Sequence, residues 1–368
     1  LGQGKIANNA CPCFALLKTK SVNDFVIVND KETKMGEGDS FKALLIEQDE
    51  ARKVHASLTS LSPTQLDVGE VLIRVHFSSI NYKDALAATG AGKIIRRFPC
   101  VGGIDLSGEV VESADLRFKA GDAVIATSYD IGVAHHGGYA EYARIPADWV
   151  IPLPSGLDLL EAMALGTAGL TSALGIVRME DNGLAPGNGP VLVTGATGGV
   201  GGLAIDMLAR LGYEVVALTG KPEEADFLRR IGAADILLRG EIDFDKVRPM
   251  EAARWAGAVD NVGGVILHWV LATMRQDGVV ASIGNAADFK LSTTVFPFIL
   301  RGVSLLGVDS GYANMAIRQR VWKRLAVDLK PRHLKDFIHI IRFDELPNAF
   351  AAFIDGRARG RTVVRILD

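Results

Sequence analysis

From position 41 onward the chain runs in short apolar stretches separated by turn residues, at 41–46, 70–77, 106–111, 122–126 and 140–145. Stretches of this length, closely spaced and bounded by Gly, Pro, Asp and Ser, predict the strands of an antiparallel barrel. Past Pro152 and Pro154 the apolar spacing lengthens to the helical period, and residues 162–177 form the most apolar window. That window is broken by Gly166, Thr167, Gly169, Thr171, Ser172 and Gly175. It falls short of the roughly 20 residues a bilayer demands, so it predicts a buried helix and not a membrane span. From 191–194 strands and helices alternate, with strands over 214–219, 256–262 and 278–283 and helices over 201–211, 222–231 and 264–274. Such alternation predicts an α/β fold with a Rossmann-type, doubly wound parallel sheet. Helices near 318–328 and 346–355 and a closing strand at 361–366 return to the first domain.

Residues 1–40 follow no sustained period, contain no arginine and have Asp24 as their first acid. They read as a disordered N-terminal extension outside the fold, either an upstream addition or, through Lys5, Lys18 and Lys20, the remnant of an organelle transit segment. Met35-Gly36 and Ser40 fit an acylation pattern that is not processed when internal. The rest divides at 41–164, 165–311 and 312–368. A chain of 368 residues has the length for two domains, and its 48% hydrophobic and 23% charged residues are those of a soluble globular protein. Forty Lys and Arg against 43 Asp and Glu leave a net charge of −3, which does not suit a nucleic-acid partner. Three cysteines, Cys11, Cys13 and Cys100, make no disulfide framework and point to a reducing, cytoplasmic compartment.

The strongest chemical signal is Val191-Leu192-Val193-Thr194-Gly195-Ala196-Thr197-Gly198-Gly199-Val200-Gly201-Gly202, a buried strand, a glycine-rich turn and then an amphipathic helix. A turn in that context aims backbone N–H groups and the positive end of the helix dipole at a pyrophosphate. About twenty residues on, where an NAD-specific site carries an acid for the ribose hydroxyls, stand Thr219, Gly220 and Lys221. With no carboxylate to repel a 2′-phosphate, the expected cofactor is NADPH. Arg239, near the end of the third strand, is a second candidate for the adenosine end.

With barrel, glycine motif and returning C-terminal segment in place, the chain resembles the medium-chain dehydrogenase/reductase superfamily, in its zinc-free quinone oxidoreductase branch. Ser78-Ser79-Ile80-Asn81-Tyr82-Lys83-Asp84-Ala85-Leu86, Gly92-Lys93-Ile94-Ile95, Gly166-Thr167-Ala168-Gly169, Pro297-Phe298-Ile299-Leu300-Arg301, Gly307-Val308-Asp309-Ser310 and Gly360-Arg361-Thr362 are similar to the YhdH/AcuI-type acrylyl-CoA reductases. The resemblance covers about residues 41–368 and implies a GroES-like, partly open β-barrel catalytic domain and a homodimer. It further implies that Thr197, Gly198, Gly199 and Val200 carry the pyrophosphate and Thr219, Gly220 and Lys221 the adenosine phosphate. Asn285, Ile299 and Ser310 would surround the nicotinamide half, and Thr167 is a further cofactor-binding position. Asn285 is polar where close relatives carry an apolar residue, and Lys221 replaces an arginine. Zinc dehydrogenases need Cys, His and a further Cys or acid around the metal. Here Ile80-Asn81-Tyr82-Lys83 and Gly103-Ile104-Asp105-Leu106 occupy those regions, and His135 and His136 are adjacent in a loop, so no metal is expected.

Reducing an enoyl thioester requires hydride at the β carbon, stabilisation of the developing enolate oxygen and a proton at the α carbon. Asn81, Tyr82 and Asp84 are placed on a turn after the strand at 71–77. Tyr82 can donate through its hydroxyl and pack against the nicotinamide, and Arg361 is expected to reach the cofactor or the acyl carbonyl from the opposite side of the cleft. Two other readings stay open. A quinone reductase would share the hydride donor without a coenzyme A subsite, and a non-catalytic NADPH-binding protein would sense or support rather than reduce.

Overall fold

The computed structural model describes residues 39–367. The extension, with Cys11, Cys13 and the Met35 motif, lies outside the described residues except for its last two. The first part contains β1 (Phe41–Gln48), β2 (Val54–Leu61), β3 (Val71–Ile80), α1 (Tyr82–Thr89), β4 (Cys100–Val101), β5 (Asp105–Ser113), β6 (Ala123–Thr127), β7 (Tyr142–Ile145) and β8 (Val150–Pro152). A long helix, α2 (Leu159–Asp181), leads into β9 (Val191–Thr194), α3 (Gly199–Arg210), β10 (Val215–Thr219), α4 (Ala225–Arg230) and β11 (Asp235–Leu238). Next come β12 (Trp255–Asp260), α5 (Gly264–Ala272), β13 (Met274–Ser282), α6 (Phe296–Arg301) and β14 (Ser304–Gly307). The return segment supplies α7 (Met315–Leu325), α8 (Leu334–Phe337), β15 (Ile338–Arg342), α9 (Leu346–Ile354) and β16 (Arg361–Arg365).

Six parallel strands in the order β11-β10-β9-β12-β13-β14 make the doubly wound sheet. Side chains alternate across it: Val191 and Val193 of β9 join the core shared with α2, α3 and α7, while Leu192 joins Trp255, Trp269 and Val270 on the other face. Both faces are covered, as a parallel sheet requires. The barrel strands form a short β2-β1-β4 sheet and a larger one ordered β15-β16-β3-β5-β6-β8, with β7 also paired to β3. The expected return of the C-terminal segment is literal, because β16 lies antiparallel on β3 with Thr362 opposite Ile80.

Three differences from the sequence reading have physical causes. β2 was not foreseen because its burial is mostly partial, one face being solvent and the other half-covered. The turn expected at Asn81, Tyr82 and Asp84 is instead the start of α1, whose N-cap Asn81 and third residue Asp84 form a reciprocal capping box. The apolar window is one 23-residue helix interrupted at Gly166, with φ 50 and ψ −150. It is the one described helix long and apolar enough to cross a membrane, yet 83% of its apolar window is buried within the protein.

Candidate active site

The glycine-rich turn has the local geometry that a bound pyrophosphate needs. β9 ends at Thr194, Gly195 turns with φ 60, and α3 starts at Gly199 with Gly198 as its N-cap. The N–H groups of the first helical turn have no acceptor within the helix and are open to a ligand. Close packing at Gly201 permits this, since a Cβ there would lie 2.3 Å from the Gly195 carbonyl oxygen. Behind the turn, Asn261 donates from Nδ2 to the Thr194 carbonyl at 2.7 Å, while its buried Oδ1 has no partner.

At the end of β10 the Thr219 hydroxyl accepts from the Lys221 N–H at 3.0 Å, and the Lys221 ammonium donates to the Gly356 carbonyl at 3.2 Å. The Arg239 guanidinium lies over Gly220, where a Cβ would meet Nη2 at 3.1 Å. Neither cation forms an ion pair among the described residues. The four positions expected at the adenosine end are therefore gathered around one strand end, with two positive charges and no acid at the ribose position.

Thr167 follows the break at Gly166 and is held by Asp105 twice, its N–H donating to Oδ2 at 2.9 Å and its hydroxyl to Oδ1 at 2.5 Å. Thr171, one turn on, donates to the Ser310 hydroxyl at 2.6 Å, so Thr167 and Ser310 belong to one wall. Gly166 is required there, because a Cβ would fall 2.6 Å from Asp105 Oδ2 and a positive φ disfavours any larger residue. Ser310 is fixed from behind by the fully buried Arg318, which donates to its carbonyl at 2.7 Å and stacks over the Tyr129 ring. Asn285 borders a cavity of about 350 Å³ beside Gly263 and Phe289. Ile299, on α6, is 67% exposed.

Tyr82 opens α1 and is 58% exposed, the only large aromatic of that helix. Beneath it is a buried polar network. The Asn81 amide donates to Asp84 Oδ2 at 3.2 Å and to Asp105 Oδ2 at 2.8 Å, bridging the two carboxylates. Burial, reinforced by the neighbouring Asp105, pushes the Asp84 carboxyl up to about 7, although N–H donors from Asn81 and Ile104 oppose the shift. The Tyr139 hydroxyl donates to the Ser79 carbonyl at 3.1 Å, and burial holds its ionisation well above the ordinary tyrosine range.

Arg361 corrects one expectation. It is 3% exposed, and its Nε donates to the Ala164 carbonyl at 2.9 Å, Nη1 to the Ile80 carbonyl at 3.3 Å and to Asn81 Oδ1 at 3.2 Å. A guanidinium held in this way lies on the same side of the site as Tyr82 and does not face it across a cleft. Burial lowers its pKa, while Asp105, 4.0 Å away, and Asp84 favour its charge. Its stem does approach the cofactor turn, since a Cβ at Gly199 would meet Arg361 Cδ at 3.1 Å. Arg361 thus ties β3, the helix leading into the α2 break and the glycine-rich turn together.

Asp105, the centre of this network, stood in the sequence only as part of the Gly103 to Leu106 stretch and was given no role in the site, as Ser79, Thr171 and Arg318 were given none. An acid opening a strand whose first four residues are all buried was the available signal for Asp105. Among the described residues no three His, Cys, Asp or Glu side chains converge on a point that could hold a metal ion. His136 Nδ1 instead accepts from the Val101 N–H at 2.9 Å.

Residues 67–155 match the alcohol dehydrogenase GroES-like domain family, and residues 199–327 match the zinc-binding dehydrogenase family. Acrylyl-CoA reductase AcuI of Ruegeria pomeroyi is 47% identical over 89% of this chain and 99% of its own. The yhdH oxidoreductase of Salmonella enterica, solved in complex with NADP, is 46% identical, covers 89% of this chain and all of its own, and superposes with a TM-score of 0.86. YhfP of Bacillus subtilis, whose name carries a provisional quinone oxidoreductase assignment, is 46% identical over 89% of this chain and 99% of its own. Its structure, solved with NAD bound, gives a TM-score of 0.87. The chain belongs to the AcuI/YhdH branch of the medium-chain dehydrogenase/reductase superfamily.

Proposed function

We propose that this protein is an NADPH-dependent reductase that saturates the activated C=C bond of acrylyl-CoA, giving propionyl-CoA without a metal. NADPH, when bound, supplies the hydride for the β carbon. Thr197, Gly198, Gly199 and Val200 hold the pyrophosphate through backbone N–H groups. Thr219, Gly220, Lys221 and Arg239 hold the 2′-phosphate, and Thr167, Asn285, Ile299 and Ser310 border the nicotinamide half. Tyr82 donates its hydroxyl to the thioester oxygen on which negative charge develops, the type of contact that lowers an acyl transition state most. On this reading residues 41–164 and 312–368 hold the substrate and 165–311 the nucleotide.

The observation that carries the reading is the exposed Tyr82 hydroxyl standing over the buried network in which Asn81 and Thr167 spend their amide and hydroxyl protons on Asp105, so that Tyr82 is the donor left for a substrate oxygen. The protein acts in the cytoplasm on a small molecule. It acts as a homodimer, for which the support is the exposed apolar set Val295, Phe296, Ile299 and Leu300 next to β14, one of the two edge strands of the parallel sheet. The test is NADPH oxidation followed with acrylyl-CoA, crotonyl-CoA and a small quinone side by side. Fast turnover of acrylyl-CoA is expected, and rapid quinone turnover with none of the thioester would overturn the substrate assignment in favour of the activity in YhfP's name.

A further inference from the structure

We propose that Lys83 and Lys93 form an anion handle that grips the phosphate groups of a coenzyme A thioester at the mouth of the site. The proposal rests on reading the substrate as an enoyl-CoA and adds the residues that would distinguish it from an uncharged quinone. Lys83 follows Tyr82 on α1 and is exposed like it. Lys83 and Leu86, three residues apart, share a face of the helix. After α1 the chain folds back onto that helix: the Gly92 N–H donates to the Leu86 carbonyl at 3.3 Å, and a Cβ at Gly92 would lie 3.2 Å from Leu86 Cβ. Lys93, the next residue, is exposed at this junction.

The charges nearby are unbalanced. Between positions 81 and 99 the only acid is Asp84, which is buried and faces inward to Asn81 and Ile104. The two arginines of the same loop are engaged, Arg96 with Asp130 and Tyr312 and Arg97 with Asp67. Lys83 and Lys93 have neither a hydrogen bond nor an ion pair among the described residues. Two free ammonium groups, one on the residue after Tyr82 and one where the chain packs back on Leu86 of the same helix, suit a ligand whose reactive end enters the site while its phosphates remain outside. Lysine is a flexible point charge with rotatable donors, which fits phosphates on a long arm, and such charges also raise the local concentration of an anionic substrate. A quinone offers them nothing.

The test compares acrylyl-CoA with the acrylyl thioester of N-acetylcysteamine, which carries the same reacting group without phosphates. In the double variant Lys83→Ala, Lys93→Ala the ratio of kcat/KM for acrylyl-CoA to that for the short thioester should fall about tenfold, the effect of losing two exposed ion pairs. The charge-reversed pair, Lys83→Glu with Lys93→Glu, should lower it further, and added salt should shrink the difference. An unaltered ratio overturns the handle while leaving the reductase reading in place. Calorimetric titration with free coenzyme A separates the two claims. If the wild type reduces no thioester but binds coenzyme A, and the double variant does not, the handle stands and the reaction assignment fails.

Discussion

Ser79 and Arg361, 282 positions apart in sequence, meet in a 2.8 Å hydrogen bond from Nη2 to the serine hydroxyl. The antiparallel pairing of β16 with β3 brings them together, and the same guanidinium is the cation nearest the buried Asp105 carboxylate. Arg361→Ala removes four hydrogen bonds and leaves that carboxylate without its counter-charge. Breaking such a buried pair typically costs about 3 to 5 kcal/mol, so the variant should melt well below the wild type and lose turnover with it. A thermal melt and a kcat measurement check this. Normal stability with a raised KM for NADPH would show that Arg361 is chiefly a cofactor ligand.

Cofactor choice should follow the charge at the end of β10. Lys221→Glu places an acid where the ribose hydroxyls of NADH would be bound and where a 2′-phosphate would be repelled. The ratio of kcat/KM for NADPH to that for NADH should fall by at least about tenfold, and Arg239→Ala should lower it in the same direction. Comparable efficiencies of the wild type with both cofactors would contradict the assignment.

Tyr82 is exposed and makes no hydrogen bond among the described residues, so its hydroxyl can be removed with little disturbance of the fold. Losing one donor to transition-state charge typically lowers the rate on the order of a hundredfold. Tyr82→Phe should therefore reduce kcat by tenfold or more at unchanged melting temperature. A nearly neutral substitution would mean that the ring only packs.

Asp84 gives stability a pH dependence of predictable sign. Its folded pKa, about 7, lies above the ordinary 3.8, so the unfolded chain loses the proton first as pH rises. The group's contribution is complete below pH 3.8 and is lost as the pH rises through about 7, at a slope of at most about 1.4 kcal/mol per pH unit. Urea unfolding at intervals from about pH 4 to about pH 8 should show this decline in the wild type. Asp84→Asn should flatten it, whatever the variant's absolute stability.

The parts of the site built from neighbouring residues were legible in the sequence. The glycines from 195 to 201 follow an apolar strand at fixed spacing, and Lys221 is found by counting along the chain to the next strand end. Asp105 was not legible as a centre because its partners, Ser79 and Asn81, Thr167, and Arg361, come from three segments far apart in the chain. The helical start at Tyr82 carried a readable signal, Asn81 followed three residues later by Asp84 before an alanine-rich run, but an acid in place of the usual Glu or Gln made it weak. Ala164 and Ile80, whose carbonyls fix Arg361, could not be found from side-chain chemistry, because the acceptors belong to the backbone.

The pairing of β16 with β3 also sets an order of assembly. By the time Arg361 leaves the ribosome, every strand of the nucleotide sheet has already been made, and the Phe77 to Ile80 half of β3 has waited with an unpaired edge through the synthesis of roughly 280 residues. Pairings between segments this distant form late and slowly. When β16 arrives it closes the barrel and delivers the guanidinium that organises the site in a single step. A nascent chain stopped before residue 361 would carry a finished nucleotide cradle beside an open, sticky strand, so biogenesis allows no stage at which the barrel is complete and the site is not.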